Sequence, residues 1–159
     1  TDKTTDKMAV TLKTGDKAPD FKLEDQDGKT IKLSDLAGKK SVIFFYPADM
    51  TPTCTIEACN LRDNHSIFQS KGYEVYGVSP DDAKSHQKFI AKHQLPYTLL
   101  SDPDHKMAIA YGVWDEKQLF GRKYMGIVRT TFILDEKGKI AEVITKVKSK
   151  DHASQILKL

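Results

Sequence analysis

No apolar run in this chain approaches the ~20 residues a bilayer-spanning helix needs, and its polar start, TDKTTDKMAV, lacks the apolar centre of a secretory signal. No sign of charge dominates either. The 25 lysines and arginines face 22 acidic residues, giving a net charge of +3 with the cations spread along the chain. That balance argues against nucleic acid as the main partner. Cysteine is scarce. Two residues, Cys54 and Cys59, exclude a scaffold of several disulfides, and 159 residues are enough to bury a core without one. A reducing cytoplasm is the default compartment. Arginine is scarcer than lysine, limited to Arg62, Arg122 and Arg129. Internal repeats, low-complexity tracts and linkers are missing, so one domain is expected over residues 8–159, with residues 1–7 as a tail outside the fold. Lys146, Lys148 and Lys150 alternate, which predicts the wet face of a strand.

What is present reads as an α/β chain. Two short alternating runs around Asp27-Gly28 predict a hairpin. SVIFFYP, ended by Pro47, is a continuous apolar run of the kind found in buried strands. A helical pattern follows from about Thr53 to Ser70. YEVYGVSP predicts a strand, DDAKSHQKFIAKHQL a helix, and YTLLSD a third strand. DHKMAIAYG predicts a short helix closed by Gly112. RTTFILDEKGKIAEVITK predicts two strands turning at Glu136-Lys137-Gly138, and DHASQILKL a last helix with Asp151 as its N-cap. Strands alternating with helices imply a mixed sheet covered on both faces. Sites in such sheets form beyond the carboxyl ends of strands, and the loop after SVIFFY is one of these places.

That loop delivers Cys54 to a helix start, where unpaired N–H groups and a partial positive charge favour a thiolate. Pro52 suits the first turn, where its missing N–H costs nothing, and Thr51 is the candidate cap. Cys54 shares a stripe with Ala58, Leu61, His65 and Phe68, and so faces the interior or a pocket. Cys59 aligns with Asp63, Ser66 and Ser70, nearer solvent. Residues five apart in a helix lie roughly 8–9 Å apart at Cα, beyond the ~7 Å a disulfide tolerates. The pair bonds only if this helix is absent or unwinds. Cys54, Cys59 and His65 share no face, so a zinc site is disfavoured. Two inert thiols, one buried and one incidental, remain open on spacing alone.

The surrounding residues narrow the choice. Pro47-x-x-x-Thr51-x-x-Cys54 is followed by Cys59 in TIEACNLRD. GDKAPDFKLEDQDGKTIKLSDLAGK precedes it, and GVWDEKQLFGRKYMGIVRTTFILDEKGKI, with Arg129, follows. From roughly Leu12 to the C-terminus the chain resembles the peroxiredoxins, and within them the Q-type group that includes the bacterioferritin comigratory proteins. The group usually has glycine before the first cysteine; Thr53 stands here. The resemblance implies a thioredoxin-like fold and a thiol-dependent peroxidase for hydrogen peroxide and organic hydroperoxides. It implies that the Cys54 thiolate attacks the O–O bond and becomes a sulfenic acid, and that Cys59 resolves this as an intramolecular disulfide. Thr51 and Arg129 would hold the thiolate and peroxide, and Pro47 would shield the pocket. A thioredoxin- or glutaredoxin-like reductant would recycle the enzyme, with no cofactor and no metal. A monomer is expected, with neither nucleic acid nor membrane as partner. A general dithiol oxidoreductase, which would want closer cysteines, and a redox sensor or holdase are the competing functions.

Acidity alone does not make a fast peroxidase. A free thiol is only ~3% ionised at pH 7, and nucleophilicity lost with falling pKa cancels most of the gain in thiolate. Aimed donors must stabilise the charge moving across the O–O bond. Arg129 suits this, since a planar, permanently charged fork can hold two atoms at once. The plain alternatives are a helix cap for Thr51, a strand end for Pro47 and a surface arginine for Arg129. Tyr111, Trp114 and Phe120 are expected in core packing rather than at the pocket mouth. His65 is expected on a helix face, and Arg62–Asp63 as a local ion pair.

Overall fold

A computed structural model describes residues 11–158; the tail expected over residues 1–7 lies outside them. The elements follow in chain order. Strands β1 (Lys22–Asp25) and β2 (Thr30–Lys32) form the expected antiparallel hairpin, with Asp25 Oδ1 accepting the N–H groups of Asp27 and Lys29 at 2.9 Å each. Then come β3 (Lys40–Phe45), α1 (Pro52–Asp63), α2 (His65–Ser70), β4 (Tyr73–Ser79) and α3 (Ala83–His93). They are followed by β5 (Thr98–Ser101), α4 (Lys106–Ala110), β6 (Trp114–Leu119) and β7 (Arg122–Ile127). Last are β8 (Thr130–Leu134), β9 (Ile140–Ile144) and α5 (His152–Leu157).

Seven strands make one mixed sheet in the order β9-β8-β3-β4-β5-β1-β2. Strands β3, β4 and β5 run parallel, and β8 lies antiparallel against β3. The near-continuous apolar run of β3 is explained by this central place, since both its faces are covered. Successive side chains go to opposite layers. Val42, Phe44 and Tyr46 join a core with Leu61 of α1, Phe89 of α3 and Ile156 of α5. Ile43 and Phe45 join the other core, with Met107 of α4, Tyr111 and Phe132. Each fully buried side chain of this size contributes about 1.5–3 kcal/mol. Gly77 in β4 lies under this packing: a Cβ there would meet Leu99 Cδ2 at 2.7 Å and Phe44 Cζ at 2.8 Å. Gly77→Val would force the central strands apart.

Four local expectations are corrected. The helical pattern from Thr53 to Ser70 is two helices, because Asn64 leaves helical geometry (φ −110°, ψ 11°) and its side chain donates to the Asn60 carbonyl. The alternating lysines lie beyond β9, with Lys150 in a short 3-10 turn, so no strand carries them. Asp151 occupies the N-cap position of α5 without a side-chain hydrogen bond. Asn60 of α1 takes over that task, its Oδ1 accepting from Ala153 N–H at 2.8 Å while its Nδ2 donates to Lys150 O at 2.8 Å. Phe120 is 94% exposed at the tip of the β6–β7 ribbon, not in the core. That ribbon had no apolar period to announce it. Tyr111 is buried as expected, donating its hydroxyl to Pro19 O at 2.8 Å, and Trp114 stacks on His105 with centroids 3.8 Å apart.

Candidate active site

The site is assembled where β3 ends. Tyr46 leaves the strand, residues 47–51 make a loop, and α1 begins at Pro52. A buried network holds this loop down. Asp49 accepts from Tyr46 Oη at 2.6 Å, Ser85 Oγ at 2.8 Å and His86 Nδ1 at 2.7 Å. The other nitrogen of His86 meets the Leu100 carbonyl at 3.0 Å, so both ring nitrogens are engaged. The backbone N–H of Asp49 donates to Asp81 Oδ2 at 2.6 Å, and Ser79 Oγ donates to the same oxygen at 2.8 Å. Strand β4 and helix α3 therefore fix the loop from below.

Thr51 sits at the N-cap but does not cap: its hydroxyl donates to Ala48 O at 3.1 Å. Pro52 has no N–H, so the first-turn N–H groups of Thr53 and Cys54 face the loop without a side-chain cap. Thr53, which replaces the usual glycine, has an ordinary negative φ within α1 and is exposed. No left-handed backbone demands glycine there.

Cys54 is 2% exposed and its thiol is free; Cys59 is half-buried and also free. Both lie in one intact helix, Pro52–Asp63. Arg129, between β7 and β8, donates from Nη2 to Cys54 Sγ at 3.1 Å and from Nη1 to Glu57 Oε1 at 2.5 Å. One guanidinium thus bridges a sulfur and a carboxylate one helical turn apart. Glu57 is fully buried, and burial pushes its carboxyl up to about 7 against the pull of Arg129. Behind Glu57, His152 of α5 has Nε2 at 3.5 Å from Oε2 and at 2.6 Å from Thr131 Oγ1. Burial lowers the His152 pKa.

Lys117 of β6 supplies a second cation. Its ammonium donates to Ile127 O at 2.9 Å, two residues before Arg129. Burial and then the Arg129 charge lower its pKa, while Cys54 raises it. Gly126 makes room for this side chain: a Cβ there would lie 3.0 Å from Lys117 Cδ.

The structure therefore brings Cys54 and Arg129 into contact and leaves Thr51 at the helix head. Pro47, half-buried, directly follows the strand that leads to this loop. Arg62 pairs with Asp63 at 2.9 Å and also donates to His93 O at 2.8 Å, as a structural tie. Sequence reasoning missed Glu57, His152, Lys117 and the Asp49–His86 pair. Glu57 was findable, since it lies one turn beyond Cys54 on the same helix. A surface cavity lined by Gly38, Lys40, Gln69 and Glu74 lies at the opposite end of β3.

A thiol in a helix's first turn, clamped by a guanidinium beyond the carboxyl end of a parallel strand, defines a thiol-based redox protein. Comparison with known proteins makes this specific. The AhpC/TSA family model matches residues 14–143. Peroxiredoxin Bcp of Bacillus subtilis is 49% identical over 148 residues, covering 93% of this chain and 94% of its own. Peroxiredoxin Bcp of Escherichia coli is 43% identical over 146 residues, 92% of this chain and 94% of its own. Among solved structures, Xanthomonas campestris peroxiredoxin Q superposes with a TM-score of 0.84 at 34% identity, covering 95% of this chain and 96% of that one. The bacterioferritin comigratory protein of the same organism, described for alkyl peroxide reduction, gives a TM-score of 0.82 at 36% identity, covering 87% and 88%. The chain belongs to the AhpC/TSA family and, with its thioredoxin-like fold, is a thiol-dependent peroxidase of the Bcp and Q-type peroxiredoxin kind.

Proposed function

We propose that Cys54 is the thiol that meets the peroxide and Cys59 the thiol that resolves the product. The Cys54 thiolate attacks the nearer oxygen of R–O–O–H. An S–O bond forms as the O–O bond breaks, and the leaving oxygen takes a proton and departs as water or an alcohol. The sulfur is then a sulfenic acid. The Cys59 thiolate displaces its hydroxyl, which leaves as water with a proton, and a Cys54–Cys59 disulfide remains. A dithiol reductant of thioredoxin or glutaredoxin type returns two electrons by exchange and restores both thiols.

Arg129 stabilises the thiolate and then the charge spreading onto the leaving oxygen, joined by the N–H groups of Thr53 and Cys54. The Thr51 hydroxyl has its one proton engaged with Ala48, which leaves its lone pairs to accept the peroxide proton. Pro47 shields the loop from water. Cys59 cannot reach Cys54 until α1 unwinds, so resolution follows local melting. Both thiols lie in one chain, so a monomer can complete the cycle in a reducing cytoplasm without membrane or nucleic acid.

The observation that carries this reading is the 3.1 Å contact of Arg129 with Cys54 Sγ at the head of a helix that also holds Cys59. Stopped-flow mixing of reduced protein with hydrogen peroxide and alkyl hydroperoxides, then mass mapping of the disulfide, tests it. Cys54→Ser should not turn over; Cys59→Ser should consume a single equivalent and stall at the sulfenic acid. Undiminished turnover by Cys54→Ser would end the assignment. Oxidised wild type should lose amide protection across Thr53 to Asp63.

A further inference from the structure

One oxygen of Glu57 has no task in the cycle above. Oε1 accepts from Arg129, but Oε2 is buried and has no hydrogen-bond partner among the described residues. The imidazole of His152 lies beside it, with Nε2 3.5 Å away. A buried carboxylate oxygen left without a donor carries its full desolvation cost.

The contacts of His152 say which of its protons is exchangeable. Gln155 donates from Nε2 to Lys146 O at 2.9 Å and accepts Lys148 N–H on Oε1 at 2.8 Å, which fixes its amide. That same Oε1 lies 2.9 Å from His152 Nδ1, so Nδ1 carries a hydrogen. Nε2, turned to Thr131 and Glu57, is the atom that can gain or lose one. A single proton held on either Oε2 or Nε2 offsets the charge of the pair, and Thr131 Oγ1, 2.6 Å from Nε2, can donate to a neutral ring or accept from a protonated one. As carboxylic acid with neutral ring, or as carboxylate with imidazolium, the pair is neutral. Without that proton it is an anion.

We propose that His152 is a positioning residue for the peroxide step: with Glu57 it holds one exchangeable proton behind Arg129, and that proton leaves the guanidinium's charge undivided on the Cys54 sulfur. The inference rests on the peroxidase reading of Cys54. When the proton leaves, a carboxylate competes with the thiolate for Arg129 and repels the charge that develops on the leaving oxygen. The charged and titratable groups acting on the pair are Arg129 and the buried Tyr97, while Cys54 and Lys117 act on Arg129 in turn. Burial raises Glu57 to about 7 and lowers His152, which puts the loss of the proton near neutral pH.

The test is the pH profile of single-turnover oxidation by hydrogen peroxide. In wild type the rate rises as the thiol ionises and then declines as the pair loses its proton. Glu57→Gln keeps an oxygen for Arg129 and puts a permanent donor toward His152, so the decline vanishes and the rate at pH 8.5 exceeds wild type several-fold, because only part of a unit charge moves onto the leaving oxygen. His152→Gln offers Oε2 a donor that cannot ionise, which favours the carboxylate and moves the decline to lower pH. Lys117→Met, the rival source of a decline, keeps it. The His152 ring resonances of wild type move with the same midpoint, a readout independent of whether any variant folds. A wild-type plateau through pH 9, a decline retained in Glu57→Gln or unmoved in His152→Gln, or ring resonances that do not move each overturn the proposal. A reduced protein that consumes no peroxide at any pH would overturn the peroxidase reading instead.

Discussion

Two buried carboxylates lie on either side of Thr51, and they are held in opposite ways. Asp49, before the loop's end, receives donors from Tyr46, Ser85 and His86, all on elements of the main fold. Glu57, one turn into α1, receives Arg129 on one oxygen and, among the described residues, no donor on the other. The first is a satisfied network, which rigidifies its surroundings. The second is incomplete and lies in the helix that the proposed Cys54–Cys59 disulfide would have to unwind. The proposed cycle calls for both: a floor that does not move under the peroxide, and a helix whose ties can be released.

The comparison can be broken most forcefully at the floor. Asp49→Ala leaves a tyrosine, a serine and a histidine donor without a partner in the core and should cost ~3–5 kcal/mol of stability, measured by denaturant unfolding of the reduced protein. A cost no larger than that of Glu57→Gln would mean the two carboxylates are alike. Next in size is the clamp. Arg129→Ala should slow peroxide oxidation by about 100-fold even at alkaline pH where the thiol is fully ionised; a rate recovered at high pH would reduce Arg129 to a thiolate stabiliser. Glu57 also leaves a mark on stability. Its folded-state value is raised from the ordinary 4.5 to about 7, so the folded state binds the extra proton. That contribution is full below about 4.5 and is lost as pH rises to about 7. Glu57→Gln should flatten this fall in melting temperature across the same window. The smallest effect concerns release. Tyr97 donates to Ala58 O at 2.7 Å, between the two cysteines. Tyr97→Phe removes about 1 kcal/mol of restraint and should speed disulfide formation several-fold without changing the peroxide step, as followed by quenched-flow thiol counting.

The two cysteines sharpen the same contrast. Cys54 is 2% exposed, whereas Cys59 is half-buried. A bulky maleimide should label Cys59 first in the reduced protein, while peroxide oxidises Cys54 first.

Much of the framework was legible before any coordinates. The β1–β2 turn, the apolar β3, the helix α3 and the β8–β9 turn are set by local signals: Asp27-Gly28, a β-branched and aromatic run, the helical pattern of DDAKSHQKFIAKHQL, and Gly138 with φ of 79°. The β6–β7 ribbon was not, because its charged and polar residues alternate without an apolar face. The end of α1 was not, because Asn64 competes with the backbone through a side-chain bond that pattern alone does not register. Asp151 looked like a cap and does not act as one, because Asn60 from another helix was already in place.

By itself the sequence determined which chemistry this protein could perform. It put one thiol in the first turn of a helix, a second five positions on, and a motif around them that names their trade. Tertiary structure alone decided the electrostatics. Arg129 is 75 positions from Cys54 and 72 from Glu57, and His152 is 21 from Thr131. Such separations leave no periodic trace, since charge acts through space and burial sets its strength. Only the folded sheet, by closing β8 and α5 over α1, brings a guanidinium, a carboxyl and an imidazole into line behind the sulfur.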